Sequence, residues 1–474
     1  MYDLNSEGYA LLEQKRGEPF IINKNGTISK LNQQYFAAYV QLTHLMIHYP
    51  PDKCFYVYRD DSGVWANVDG DGIESIVLKT LNHYAKVQDI RELLACYTSS
   101  FLSSVSHLLK KLAVVDKSVN FFEKKEHVIH CANTMLVYDE KLRTWEQKDF
   151  SPAYHSRNQI PIMYDPAAGC PRFLNDLLAP AMTQDDIDVI QIYFGQCLLG
   201  HNSSQTFLLI LGEPGTGKSM LANIIEMVIG DQNFTELRLG HIGGRFETSA
   251  FRGKNLLVGK DVRSDFLCEK DAGMIKSLTG GDSVMAELKN SNLRHEVTGN
   301  FNVIIVGNPR LRIAFDEDVG AWRRRLLLTR YHQPASMKRV ADLDKVLFDE
   351  EKSGILNWAL EGASKLLANG GLIERSAEQQ ARVDDLIAYS KPFDAFGRNH
   401  INPNPNTGIT TDQAVTSFFR FCKRSGWEGG AFTPAKVQRM FHEWMGTTFN
   451  AVPSIFLSCG QRRRGYFGFQ IVES

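Results

Sequence analysis

Lys218 and Ser219 end a glycine-rich run, Gly212-Glu213-Pro214-Gly215-Thr216-Gly217-Lys218-Ser219, with Met220 next in line. Glycines at 215 and 217 let the backbone curl until successive N–H groups face one point. The positive end of a following helix dipole faces the same point, which suits a phosphate. Lys218 can bridge outer phosphates as a mobile point charge, and the Ser219 hydroxyl can ligate Mg²⁺. The flanks supply the elements such a loop needs. Phe207 to Leu211 is all apolar, as in a strand buried on both faces. Leu221, Ile224, Ile225 and Val228 fall at helical spacing before a stop at Gly230. Strand, glycine loop and helix read as a nucleotide-binding phosphate loop. ATP and Mg²⁺ are the expected ligands, with Gly212 to Met220 around the phosphates.

A second apolar run, Leu256-Leu-Val-Gly-Lys-Asp261, ends in an acid roughly forty residues on. A neighbouring strand must deliver a carboxylate to Mg²⁺ and the attacking water, and Asp261 is in the right place. Only one acid ends this strand, so the general base stays open; Asp265 and Glu269 are outside candidates or plain surface charges. A third run, Asn302 to Gly307, leads to Asn308, whose amide can orient water and sense the terminal phosphate, or can simply start a turn. Arg323, Arg324 and Arg325 precede a further apolar strand. Guanidinium groups do not enter a core unpaired, so these form a solvated rim or reach a neighbouring subunit's nucleotide. Val284, Ala286 and Leu288 alternate, as do Leu293, His295 and Val297, about Lys289-Asn290-Ser291-Asn292. That is a β-hairpin with a basic, polar tip.

The chain has 474 residues and a formal net charge of −1, so a nucleic-acid surface has to be local. Two to four domains are expected from the length. No apolar run spans a bilayer and no signal peptide opens the chain, which excludes a membrane role and points to a cytoplasmic protein. Eight scattered cysteines without a CxxC pair read as reduced core residues.

Residues 1–165 form an expected α+β unit. Phe55 to Tyr58 and Val64-Trp65 read as a hairpin, and Ile76 to Tyr84 and Ser103 to Leu112 as helices. Asp69-Gly70-Asp71 reads as a turn before a helix, and Trp65 and Trp145 as core. Turn formers between Met163 and Pro171 mark a boundary, placing the ATPase at 166–335. Helices fill 336–400. Asn402 to Gly408 reads as a linker, followed by helices from Asp412 and from Pro434, the latter with Thr433 as N-cap. Gln461 to Val472 reads as a hairpin whose basic turn, Arg462-Arg463-Arg464, can grip phosphates or face solvent. Helix, helix and wing over 401–474 suggest a winged-helix domain.

The ordered blocks GEPGTGKS, FRGKNLLVGKD, IKSLTGGD, FNVIIVGNP and GAWRRRLLLTRY resemble superfamily 3 helicases. More narrowly, the chain is similar to the helicase half of phage, plasmid and satellite-phage primase–helicases, related to the poxvirus-type replicative NTPase. The resemblance covers roughly residues 50 to 470. It implies an α/β fold: an AAA+-like phosphate-loop ATPase, its parallel sheet flanked by helices, with an α+β N-terminal domain and a C-terminal winged helix. It implies Lys218 and Ser219 as the Walker A pair, Asp261 as the Walker B acid and Asn308 as the sensor. Arg324 becomes an arginine finger acting in trans, with Arg323 as its alternative. Lys289, Asn290 and Arg294 join Arg462 to Arg464 as expected DNA contacts. Single-stranded and forked DNA, a homo-oligomeric ring, expected as a hexamer, and a separate primase are the implied partners, in the cytoplasm of a bacterial host. The resemblance thus implies an ATP-dependent replicative helicase of a phage or mobile element. An origin-melting initiator and an ATPase switch without unwinding remain as rivals. Two departures stand out: the family's Walker B Glu is Asp261 here, and the chain is too short for a primase domain, so no primer synthesis is expected.

Overall fold

The computed structural model describes residues 2–116, 120–122, 127–238, 242, 247–262, 273–287, 294–307, 319–332, 342–389, 392–424, 432–458 and 460–472. Its architecture is mixed α/β, centred on a five-stranded sheet. The order across the sheet is Phe234–Glu236, Leu256–Val262, Asn302–Gly307, Phe207–Gly212, Leu326–Tyr331, with every pairing parallel. Parallel strands are covered on both faces, which is why they read as unbroken apolar runs. Alternate residues serve the two faces. Leu208, Ile210, Val258, Ile304, Val306 and Leu327 pack with the helices Gln184–Leu199, Lys218–Ile229 and Leu343–Ala368. Phe207, Leu209, Leu257, Val303, Ile305 and Leu326 pack with Ile275, Leu278, Trp322, Val383 and Leu386.

Helices Gln184–Leu199 and Leu343–Ala368 touch at glycines. A Cβ on Gly362 would lie 1.9 Å from the Gln191 carbonyl oxygen, and one on Gly195 would lie 2.0 Å from the Ala363 nitrogen. Both obstacles are backbone, so only glycine permits this approach.

Toward the N-terminus, helices Gln33–Thr43, Gly70–Val87 and Ser99–Leu112 share a core rich in aromatics, among them Tyr35, Phe36, Tyr39 and Tyr84. Cys54–Arg59 pairs antiparallel with Val64–Val68, the expected hairpin. Asp69 caps the helix that follows, its Oδ1 accepting from the Gly72 N–H at 2.8 Å, so the acidic pair is a helix start. Trp65 is buried and its ring N–H donates to the Pro152 carbonyl at 3.1 Å. A second meander, Val128–His130, Met135–Asp139 and Thr144–Lys148, sends Ile129 and Leu136 into the same cluster as the parallel sheet. Buried Asp52 ties this half to the run before Leu256–Val262: Arg157 reaches its Oδ2 at 3.0 Å, and Arg252 donates to its backbone carbonyl at 3.0 Å.

At the C-terminal end, helices Pro392–His400, Thr411–Arg424 and Pro434–Phe449 pack on a three-stranded antiparallel sheet. Two expectations are corrected here. Asn402 to Gly408 is not a linker but part of the edge strand Ile401–Thr410, which meets Gln461–Ile471 with a register shift between Pro403 and Gly408. Proline survives in a sheet at edges and bulges, and this is both. The arginines 462 to 464 are not in a turn either. Gln461–Ile471 is one strand, and its turn lies before it, toward Ser454–Ser458. Gly465 serves a close approach, since a Cβ there would meet the Ile409 carbonyl at 2.0 Å.

No helix among the described residues is long and apolar enough to cross a membrane.

Candidate functional site

The glycine loop leaves the sheet at the C-terminal end of Phe207–Gly212 and enters the helix Lys218–Ile229. Parallel strands deliver Asp261 and Gly307 to the same edge, with Leu211 in register with Gly307 and Val262 opposite Gly307. Ligands of open α/β sheets bind outside the carboxyl ends of the strands. Glu213, Pro214 and Gly215 are exposed, so the loop is open to solvent.

Two glycines have backbone angles that side chains rarely adopt: φ is +80° at Gly215 and +99° at Gly217. Gly212 is closed in from outside. A Cβ there would sit 2.4 Å from the Tyr331 carbonyl oxygen. Tyr331 walls the loop, its ring carbon 3.5 Å from a Cβ position on Gly217 and its hydroxyl donating to the Leu177 carbonyl at 2.9 Å. Burial pushes the Tyr331 hydroxyl well above the usual tyrosine pKa, so it stays a donor. Thr216 closes the turn, donating from Oγ1 to the Glu213 carbonyl at 2.9 Å. Lys218, the first helical residue, is 8% exposed, and its ammonium donates to the same carbonyl at 3.0 Å. Its charge is therefore held inside the curl of the loop. Ser219 follows it, half-buried, on the first helical turn, with Met220 beside it.

A polar chain missed by sequence reasoning braces the loop helix from behind. Lys260, one residue before Asp261, pairs with Glu226 at 2.6 Å and donates to Asn223 Oδ1 at 2.7 Å; Asn223 in turn donates to Asp344 at 2.6 Å. Burial raises the Glu226 carboxyl above its ordinary pKa, opposed by the Lys260 hydrogen bond. Lysine inside an apolar strand was the available signal, since a buried ammonium needs a carboxylate partner.

The three arginines have separate surroundings. Arg323 is exposed and its Nε meets Asp384 at 2.8 Å. Arg325 is buried, beside Gly280. Arg324 is exposed and enters no ion pair among the described residues. Of Asp261 and Arg294 the backbone alone is described: Asp261 on Leu256–Val262, Arg294 opposite Glu287 in the hairpin of Ser283–Glu287 and Arg294–Thr298. Asn308, Lys289, Asn290, Asp265 and Glu269 lie outside the described residues. Arg462, Arg463 and Arg464 are exposed, about as far along the chain from the loop as it allows. Register sets Arg464 opposite Ile455 and Arg462 opposite Leu457, both aliphatics being exposed, whereas Arg463 faces Phe456 and lies 3.8 Å from Asp412. No group of three or more potential metal ligands occurs among the described residues.

Residues 33–179 match the family described as D5 N terminal like, and residues 210–325 match a family of unknown function, DUF5906. The first relates residues 33–179 to the N-terminal part of D5-like primase–helicases. Two mitochondrial proteins of Marchantia polymorpha, both uncharacterized, are similar in part. Ymf20 is 34% identical over 95 residues, 19% of this chain and 56% of that protein. Ymf21 is 36% identical over 75 residues, 16% of this chain and 42% of that protein. The chain thus spans about half the length of the curated relatives it matches. An A form apo structure of the NrS-1 C terminal region aligns at a TM-score of 0.48 and 10% identity, over 91% of this chain and 98% of that one. A further apo structure of that region aligns at a TM-score of 0.38 and 10% identity, over 72% of this chain and 94% of that one.

Proposed function

We propose that this protein is an ATP-driven DNA helicase of the D5-like replication type, working as a ring with nucleotide at the seam between copies. The observation that carries the proposal is the cradle formed by Gly212, Gly215, Gly217 and Lys218 at the carboxyl edge of a parallel sheet. It is a tight curl in which Gly215 and Gly217 hold left-handed backbone angles and Gly212 backs onto Tyr331, with a lysine held inside it. Mg²⁺ and ATP would supply a cleavable phosphoanhydride there. Lys218 and the loop N–H groups would grip the phosphates and Ser219 would hold the metal, while Asp261 and Asn308 would align water. The Lys260–Glu226 brace would keep the loop helix fixed to the strand that carries Asp261.

Arg324 suits the role of a finger on the neighbouring copy better than Arg323, whose guanidinium Asp384 occupies. A hairpin tip with Lys289 and Asn290, flanked by Arg294, would track one DNA strand. Residues 401–474 carry eight Lys and Arg against four Asp and Glu in a chain of net charge −1, which supports a separate DNA contact through Arg462 and Arg464. That unit is read as a winged helix.

The test is ATP-dependent unwinding of a forked duplex by the native chain, Lys218→Ala and Lys289→Ala. Lys218→Ala should lose hydrolysis and unwinding together, and Lys289→Ala should keep basal hydrolysis and lose unwinding. Native-like unwinding by Lys218→Ala would end the proposal.

A further inference from the structure

The helix Val319–Arg325 runs straight into the strand Leu326–Tyr331, so the carbonyls at its C-terminal end have no helical partners of their own. One side chain collects them. Arg375 donates from Nη1 to the Arg323 carbonyl at 2.6 Å and to the Leu326 carbonyl at 3.0 Å, and from Nη2 to the Arg324 carbonyl at 3.3 Å. A planar fork can hold three carbonyls in a fixed arrangement; a lysine ammonium cannot reproduce that geometry. Charged donors make stronger hydrogen bonds than neutral ones, and cations favour a helix C-terminus. Arg375 is also half-buried, with its pKa lowered mainly by desolvation, so water competes poorly for these bonds.

The element behind Arg375 is rigid. Ser376 and Gln379 form a reciprocal cap, Ser376 N donating to Gln379 Oε1 at 2.9 Å and Gln379 N to Ser376 Oγ at 3.3 Å. The helix they open, Ala377–Tyr389, is tied down by Arg382, which meets the fully buried carboxylate of Asp186 at 2.6 Å. Gln379 donates to the other oxygen of Asp186 at 2.9 Å, and the Arg330 N–H of the arginine-bearing strand donates to Asp186 at 3.1 Å. From the same helix Asp384 holds the Arg323 side chain. Residues 375–389 therefore fix the backbone at 323, 324 and 326 and engage the Arg323 guanidinium, leaving Arg324 pointed into solvent.

We infer that Arg375 is a positioning residue for Arg324, clamping the end of its helix so that the Arg324 guanidinium meets the nucleotide of the next copy. The inference rests on the trans-acting arginine of the proposed function. Sequence alone gives Arg375 no role; it lies roughly fifty residues from the arginines it holds.

The experiment measures ATP hydrolysis with single-stranded DNA for Arg324→Ala, Arg375→Ala, Arg375→Lys and Lys218→Ala. Each is measured alone and the first three also after mixing in equal amounts with Lys218→Ala before nucleotide is added. Displacement of a catalytic group by about 1 Å costs on the order of a hundredfold, which sets the loss in kcat expected for Arg375→Ala, with the KM for ATP within about twofold. Arg375→Lys should fall between Arg375→Ala and the native chain. Mixing Arg375→Ala with Lys218→Ala should restore turnover, because about one seam in four joins an intact loop to a well-held Arg324. A purely structural role for Arg375 predicts no such rescue. Recovery with Arg324→Ala but not with Arg375→Ala or Arg375→Lys overturns the inference and leaves the trans finger standing. Recovery with none of them removes the trans finger itself, and the inference falls with it. Native turnover by Arg375→Ala alone also overturns the inference.

Discussion

Gly212→Ala adds one methyl group at the point where the glycine loop leaves the sheet. Its Cβ would stand 2.4 Å from the Tyr331 carbonyl oxygen, 3.1 Å from Tyr331 Cβ and 3.2 Å from Thr216 Oγ1, where ordinary contact begins at 3.4 Å. The closest obstacle is backbone and belongs to the strand in register with Gly212, so it cannot swing away. About 1 Å of movement is needed, shared between the loop and the Leu326–Tyr331 strand. Overpacking of this kind costs about 1–3 kcal/mol, equivalent to a melting temperature lower by roughly 2–10 °C. The same displacement at the loop should reduce ATP turnover on the order of a hundredfold. The assay is steady-state hydrolysis beside a thermal melt. Gly26→Ala serves as the control: its φ is +80° but nothing lies within 4 Å of its Cβ position. It should cost about 1–2 kcal/mol from left-handed strain and leave turnover unchanged. If Gly212→Ala hydrolyses ATP within about threefold of the native rate, the cradle geometry does not control the chemistry and the reasoning fails.

Gly362→Ala drives a methyl group to 1.9 Å from the Gln191 carbonyl, so a stability loss at or above about 3 kcal/mol is expected in denaturant titration; a loss near zero would mean the two helices are not in that contact. In DNA binding, Arg462→Ala and Arg464→Ala should each lower the slope of log affinity against log salt by about 1, and Arg463→Ala by less because Asp412 lies beside it. Equal effects at all three would contradict the strand register. Burial, and then Arg464, hold the His442 imidazole below its ordinary pKa of 6.5. A depressed folded-state pKa means that its stabilising share is present above pH 6.5 and lost as pH falls through the folded value. NMR titration should find the midpoint below 6.5, and Arg464→Ala should recover only the smaller part of the shift; a native midpoint at or above 6.5 would refute the burial.

The buried strands of the sheet were legible because each is a short unbroken apolar run, and the hairpin at Ser283–Glu287 because its pattern alternates. The glycine loop was legible because its residue types leave few other uses. Pairing across long separations was not. Asp186 with Arg382, Asp52 with Arg157 and Arg375 with the arginine helix look in sequence like surface charges, and only the fold brings them together. Asn402 to Gly408 misled for the opposite reason. Proline and asparagine signal a break locally, yet an edge strand with a register shift accepts them.

The strand Leu326–Tyr331 has Arg325 at one end and, at the other, Tyr331 against Gly212 and Gly217. Six extended residues make a push-rod about 20 Å long. If copies form the proposed ring, whatever shifts the Tyr331 wall of one copy's glycine loop would push on the helix end that carries Arg324, the arginine that copy would offer its neighbour. Such a circle would fire in sequence, each seam primed by the one before it, with no separate messenger between subunits.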